Sequence, residues 1–338
     1  MPTHFTRLSK PQKSALYPTY WQFAVKRNDI FTRRLNMSQG PWTDDPVLSA
    51  NRFTNIFRAS DRVSQYLIDL QYEEDYDARN VFFKTLLFKI FNRIETYKYL
   101  EKETGGININ SFNVDHYDQL LTTRMAMKYK VYSAAYIMPS AGNVFGYKLK
   151  HSNHLALLDR MMKDKLYESL ESCRSLQEVY EMLLSYPSLG PFLAFQYAID
   201  LNYSPLTNFS EMDFVIAGPG AKNGILKCFD SLGDYSFEDI IRMMTDEQGE
   251  ACNQLHLPLP TLWGRNLQLI DCQNLFCEVD KYLRGTNPDI TGKSGRTRIK
   301  QKFTASNVPL PLFFPPKWEL NNKLPQQCLQ EANVVMFS

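Results

Sequence analysis

An all-α fold is what this sequence predicts. Apolar residues recur at intervals of three and four along most of the chain, strand-like alternation is short and scarce, and no segment of 20 to 50 residues repeats. At 338 residues, with 44% hydrophobic and 22% charged, the chain can bury one large core or two coupled lobes, which excludes disorder. The formal charge of +2 is too small to predict a polyanionic partner, so any basic surface has to arise by local clustering. Six cysteines without a Cys-x-x-Cys pair read as free thiols in a reducing compartment. His4, Arg7 and Lys10 interrupt the N-terminus and no stretch approaches about 18 apolar residues, so the expectation is a soluble cytoplasmic protein without signal peptide or membrane span.

Taken in order, the helical pattern begins at Tyr20, where Trp21, Phe23, Ala24, Ile30 and Phe31 alternate with Lys26, Arg27, Arg33 and Arg34. Such a basic, aromatic helix either lies on DNA or turns its charged face to solvent. Gly40-Pro41-Trp42-Thr43-Asp44-Asp45-Pro46 breaks it, with Thr43 or Asp44 placed to cap the next. Residues 51–62 then read as a helix whose polar positions Arg52, Asn55, Arg58 and Asp61 sit three apart, as an ion-pair ladder or as the lining of a pocket. Phe82 to Ile94 is an amphipathic core helix, Gly105-Gly106 ends the one after it, and 119–136 supplies another. Met138 to Gly146 is a loop, 154–184 holds two helices with Ser175 and Glu178 as a capping box, and 190–200 is a buried helix carrying Gln196. Gln196 is either a satisfied core amide or a reader of a base edge.

Residues 214–229 are the chemical focus. The apolar run Phe214 to Ala217 enters Gly218-Pro219-Gly220-Ala221-Lys222-Asn223-Gly224, after which Ile225, Leu226 and Phe229 return at helical spacing. Glycines able to take positive φ ahead of a helix N-terminus form either a phosphate cradle or a plain tight turn. A long helix over 267–284 ends in Asp280, Lys281 and Arg284, with Asp271 about two and a half turns earlier. Past Arg284, Gly292 to Lys302 holds Lys293, Arg296, Arg298, Lys300 and Lys302 and no acid, enough to track a phosphate backbone or to form a solvated tail. The prolines of 308–316 predict an extended tract packed across the body.

The runs Trp21-Gln-Phe-Ala, Pro41-Trp-Thr-Asp, Arg52-Phe-Thr-Asn-Ile-Phe-Arg-Ala-Ser-Asp61 and Leu189 to Gln196 resemble the helical domain associated with 5-hydroxymethyluracil DNA kinases. They are also similar to the α-glutamyl/putrescinyl thymine pyrophosphorylases of phages with hypermodified DNA. The resemblance covers about Tyr20 to Arg284. Gly218 to Lys222 resembles the Gly-x-Gly-x-Lys hairpin of helix-hairpin-helix DNA glycosylases, and Glu278 to Arg284 their Val-Asp-Thr-His-x-x-Arg run, with Lys281 and Tyr282 in place of Thr-His and a far longer insertion between the two.

The resemblance implies a helix-hairpin-helix glycosylase-like fold of two helical lobes with a cleft over 1–290, followed by a basic and proline-rich tail over 291–338. It implies a partner in DNA containing modified pyrimidines, and excision of a flipped base, Asp280 stabilising charge on the sugar, Asp271 its rival and Lys222 either a Schiff-base amine or a phosphate contact. Arg52, Asn55, Arg58, Asp61 and Gln196 are the expected base contacts. Gly218, Gly220, Lys222, Gly224, Lys293, Arg296, Arg298 and Lys300 are the expected DNA contacts. Replacement of an activated 5-hydroxymethyl group by an amine, and recognition without catalysis, are the alternatives. No cofactor is expected, and His151 and His154 lack partners at zinc spacing, so no metal either. Gly292-Lys293-Ser294 falls short of a phosphate-binding loop because Asn287 stands where its first glycine belongs.

Overall fold

The computed structural model describes residues 9–36, 40–73, 76–290, 292, 295–304 and 312–325. Among these, the regular structure is helical, as the periodicity requires. In chain order the helices are α1 (Tyr17–Leu35), α2 (Pro46–Ala50), α3 (Arg62–Tyr72), α4 (Ala78–Phe91), α5 (Ile94–Thr104), α6 (Val114–Ala126), α7 (Gly142–Phe145) and α8 (Lys150–Lys163). They continue with α9 (Leu166–Ser169), α10 (Leu176–Leu184), α11 (Pro191–Tyr203), α12 (Pro219–Cys228), α13 (Phe237–Asp246), α14 (Gln248–Gln254) and α15 (Leu269–Thr286). The one sheet among the described residues is a two-stranded antiparallel pair of β1 (Gln12–Lys13) and β2 (Phe229–Ser231), with Gln12 opposite Ser231 and Lys13 opposite Phe229. No described helix is long and apolar enough to cross a membrane.

The chain folds into two compact units. The first takes the described residues of 1–61, 215–312 and 323–338; the second takes those of 62–214 and 313–322. In the first, α15 is the central element: Leu269, Ile270, Cys272, Leu275, Phe276, Val279 and Leu283 are buried along it, and α1, α2, α12 and α13 pack on it. Its N-terminus is held by reciprocal bonds in which the Gln268 side chain and the Asp271 carboxylate cap each other's backbone amides. The segment after α15 returns to this unit. Asn51 and Lys302 bridge antiparallel, with the Arg52 N–H donating to the Gln301 carbonyl at 3.0 Å and the Phe303 N–H to the Ala50 carbonyl at 3.2 Å.

In the second unit α4 is buried on all sides rather than on one face. Its interior includes Lys84 and Lys89 beside the expected Phe82, Phe83, Leu86, Leu87 and Ile90. A buried ammonium needs a counter-charge, and Lys89 finds one in Asp200 of α11 at 2.6 Å, with its Nζ 4.2 Å from the centre of the Tyr136 ring. The carbonyls at the end of α11 are collected by Lys317, whose Nζ donates to Asn202 at 2.7 Å, to Ser204 at 2.9 Å and also to Thr207. Trp318 stands edge-on to Tyr203 at 5.4 Å, so this short stretch carries both a cation and an aromatic ring to α11.

Several local expectations hold. Gly105 ends α5 with φ of 70°, and the Ser175 hydroxyl accepts from the Glu178 N–H at 3.2 Å to start α10. Others give way to tertiary contacts. Asp45, not Thr43 or Asp44, caps α2, accepting from the Val47 and Leu48 amides. Residues 51–57 are not helical; only Arg58–Ser60 makes a turn of 3-10 helix. The helix expected over 119–136 ends at Ala126.

Candidate functional site

The extended course of residues 51–57 follows from where its polar side chains go. A helix would project Arg52, Asn55, Arg58 and Asp61 as one stripe; instead they are split between solvent and interior. Arg52 is exposed. Asn55 is buried, accepting at Oδ1 from the Arg27 guanidinium and donating from Nδ2 to the Ser60 carbonyl at 2.7 Å. Arg58 is buried, and its backbone N–H donates to Asp271 at 2.7 Å. Asp61 lies within the field of Arg27. Burial draws the Arg27 guanidinium down to about 10, against the pull of Asp61 and Glu278, which still leaves it a cation at neutral pH.

Arg27 also lines a cavity of about 640 Å³ in the first unit, whereas Arg52, Asn55, Arg58 and Asp61, the expected base contacts, are not in its lining. From α1 come Arg27, Ile30 and Arg34, which share a helical face at spacings of three and four. The turn into α2 contributes Trp42 and Thr43, the strand after it Asn51 and Phe53, and the returning C-terminal segment Phe303. Arg34 lies over the Trp42 ring at 5.2 Å, and Trp42 meets Phe303 edge-on at 6.4 Å. Lys302 donates to the Asn51 amide oxygen at 3.2 Å, which holds the basic segment beside the cavity, where Phe303 joins the lining. Its neighbours Arg296, Arg298 and Lys300 are exposed, while Ile299 packs toward Val47 and Gly285 at the end of α15. Guanidiniums among aromatic rings, with further exposed cations on the segment that ends in Phe303, suit a planar, polar group carried on a polyanion.

Asp280 lies elsewhere on α15 and is buried in an ion-pair cluster. Lys227 of α12 reaches it at 3.0 Å and Arg284 closes on its other oxygen. Lys281, next to it in sequence, turns instead to Glu278 at 2.6 Å. Asp271 is also buried. Its carboxyl is pushed up by burial and held back by the N–H groups of Gln268 and Arg58 that it accepts. Both acids thus tie α15 to neighbouring segments.

The glycines of 218–224 do not take positive φ. Gly218 precedes α12 at φ of −70°, and Gly220 and Gly224 lie inside the helix. What they provide is close approach: a Cβ at Gly220 would stand 2.9 Å from the Cys277 sulfur, and one at Gly224 would collide with the Phe276 carbonyl. Lys222 is exposed, with its Nζ 5.4 Å from the Phe237 ring centre. Gln196 is buried in α11 of the second unit. Lys293 lies outside the described residues. His151 and His154, on α8, are hydrogen-bonded to Thr122 at 2.9 Å, and to Tyr132 at 2.9 Å and the Pro139 carbonyl at 2.8 Å, respectively.

The sequence pointed to Arg34 only as one cation of a basic helix, and did not single out Phe53, Phe303 or Lys227. The Arg27/Ile30/Arg34 spacing was a readable sign of a shared face, but nothing local joins it to Phe303, more than 260 positions away.

Residues 14–292 match the family described as 5-hmdU DNA kinase, helical domain. A 5-hmdU DNA kinase from Bacillus phage SP10 is 29% identical over an alignment of 291 positions that covers 79% of this chain and 45% of that protein. The chain therefore spans about half the length of this relative. No solved structure matches. These matches overturn the expectation of base excision: a kinase adds a phosphoryl group and leaves the N-glycosidic bond intact, and amine transfer is likewise another reaction. The glycosidic roles of Asp280, Asp271 and Lys222 fall with it.

Proposed function

The chain belongs to the family of the 5-hmdU DNA kinase helical domain, and from that premise we propose that it serves phosphorylation of 5-hydroxymethyl-2′-deoxyuridine in DNA, as the part that grips the modified strand. The observation that carries the reading is the cavity of about 640 Å³ with Arg27, Arg34, Trp42, Phe53 and Phe303 in its lining and Lys302 hydrogen-bonded to its lining residue Asn51. Its size suits a nucleobase with its sugar. A base inside a duplex hides its 5-substituent in the major groove, so a phosphoryl acceptor there is best presented by turning the nucleotide out of the stack.

Trp42 and Phe303 supply faces and edges for the ring, and Arg34 and Asn51 supply polar groups for its edge or for the hydroxymethyl oxygen. Arg27 is spent inside the protein on Asn55 and the Phe53 carbonyl, so its role is to hold the wall. Arg296, Arg298 and Lys300 run along the flanking phosphates, and exposed Lys222 of α12 contacts the backbone as a plain cation. In the transfer itself the hydroxymethyl oxygen bonds to phosphorus, the bond from phosphorus to the donor's leaving oxygen breaks, and the hydroxyl proton is released. This chain's share is to orient the acceptor and exclude water from it.

The test uses the full chain and two oligonucleotides identical but for a single 5-hmdU or dT. Tighter binding of the modified strand is expected, with the preference reduced in Phe303→Ala and Arg34→Gln. Equal affinity of the wild-type chain for both strands would reject the cavity as the site of base recognition.

A further inference from the structure

A second surface in the molecule is left unused by that reading. Between α6 and α8 the chain exposes large apolar side chains: Met127 is 64% exposed, Tyr129 59%, Ile137 62%, Val144 54% and Tyr147 50%, with Met125 and Leu149 beside them. Side chains of this size clustered in one connection, rather than scattered singly, mark a contact surface. The same stretch is basic. From Gln119 to Leu158 there is no Asp or Glu, while Arg124, Lys128, Lys130, Lys148 and Lys150 all fall within it. Cations and aromatics interleave in two short runs, Lys128-Tyr129-Lys130 and Tyr147-Lys148-Leu149-Lys150.

The fold brings those runs to one end of a helix pair. His151, at the start of α8, meets Thr122 near the end of α6 at 2.9 Å, and Ser152 donates to Asp118 at 2.5 Å. Both tyrosines stand on anchored backbone. The Tyr129 N–H donates to the Arg124 carbonyl at 3.2 Å, and the Arg124 guanidinium lies 5.1 Å from the Tyr129 ring centre and 4.4 Å from that of Tyr99. Asn153 clamps Tyr147 from both sides, accepting its N–H at 3.2 Å and donating to its carbonyl at 2.8 Å. Exposed rings on a fixed backbone, flanked by lysines, with the nearby Asp118 carboxylate engaged by Ser152 and His151, form a stacking platform for a polyanion. A second copy of this chain fits poorly, since the same cations would face one another.

We propose that the surface formed by Tyr129, Tyr147, Lys128, Lys130 and Lys148 binds single-stranded DNA irrespective of base modification, as a hold on the strand separate from the cavity that recognises the base. The inference rests on DNA being the substrate but not on which base is recognised.

Anisotropy with a labelled dT oligonucleotide, on the full chain, tests it. Tyr129→Ala/Tyr147→Ala is expected to weaken binding at least tenfold at constant salt, and Lys128→Gln/Lys148→Gln to flatten the salt slope by about 1.4, at about 0.7 for each lost phosphate contact on a single strand. The affinity ratio between 5-hmdU and dT strands should stay unchanged in both variants, and thermal melts should superimpose on wild type. Unchanged affinity and slope in folded variants would overturn the proposal while leaving the cavity reading intact. Loss of the 5-hmdU preference from the wild type alone would overturn only the cavity reading. If the tyrosine variant abolished self-association seen by sedimentation but bound dT normally, the surface would be a protein contact and the proposal would be wrong.

Discussion

Asp280 shows how one residue changes meaning when its surroundings are known. On α15 alone it is an exposed partner for Arg284 one turn on, or an acid waiting for a substrate; in the fold, Lys227 from α12 meets it at 3.0 Å and both are buried, with Arg284 half-buried beside them. Removing one member of such a cluster strands a charge out of water, so Asp280→Asn should destabilise the protein by about 3–5 kcal/mol in urea unfolding. Lys227→Met added to it should recover part of the loss. Wild-type stability of the single variant would show that the cluster contributes nothing to the fold. His154 makes the pH prediction. Burial pushes its imidazole down to about 4, with Lys150 and His151 adding to the effect and the bond to the Pro139 carbonyl opposing it. The unfolded chain therefore binds a proton that the folded chain refuses between about pH 6.5 and pH 4, and stability is full above that window and lost on acidification through it. By this linkage His154 alone accounts for roughly 2 kcal/mol between pH 7 and pH 5. Its replacement by Gln should flatten the pH dependence of the melting temperature across that interval; an unaltered profile would assign acid sensitivity to other groups.

Among elements, the contact of α12 with α15 is the tightest. Lys227 crosses to Asp280, and Gly220 and Gly224 admit Cys277 and the Phe276 carbonyl where any side chain would intrude. Backbone cannot yield as a flexible side chain can, so Gly224→Ala should cost several kcal/mol or prevent folding, whereas Gly220→Ala, which presses only on the Cys277 side chain, should cost about 1–3 kcal/mol. Equal effects of the two substitutions in thermal unfolding would refute close backbone approach as the reason for glycine there. The end of α11 gives a second case. Lys317→Met leaves the carbonyls of Asn202, Ser204 and Thr207 without their shared donor, and a loss of about 1–3 kcal/mol is expected, read as faster hydrogen exchange at the end of α11.

For the whole molecule, a net charge of +2 hides strong local asymmetry. Arg296, Arg298 and Lys300 are exposed on the segment that leads into 301–303, which pairs with residues 50–52 beside the cavity. If these side chains follow phosphates, the triple alanine variant should bind DNA more weakly but with unchanged preference between 5-hmdU and dT. Its log-log salt slope on duplex DNA should flatten by about 2.7, at about 0.9 per contact. A slope equal to that of wild type would remove the strand from the interface.

Read by itself, the sequence determined the helical class, the family and several helix ends. Periodicity, the glycines at 105 and 106 and the Ser175 cap are local properties, legible wherever short-range chemistry decides the conformation. The runs at Trp21, Pro41 and Arg52 carried the family resemblance, and residues 14–292 match that family. The cavity was not legible in the same way. Arg52, Asn55, Arg58 and Asp61 share a spacing that fits a helix, but Arg27, Ser60 and Asp271 each offer a stronger hydrogen-bonding partner than solvent, and satisfying them pulls the segment straight. Whether Gly218 to Gly224 cradles a ligand or admits a helix, and whether Asp280 faces substrate or lysine, likewise turned on what packs against them. Those partners come from α1, α12, α15 and the segment at 295–304, and long-range burial, unlike capping or periodicity, leaves no mark at any single position in the chain.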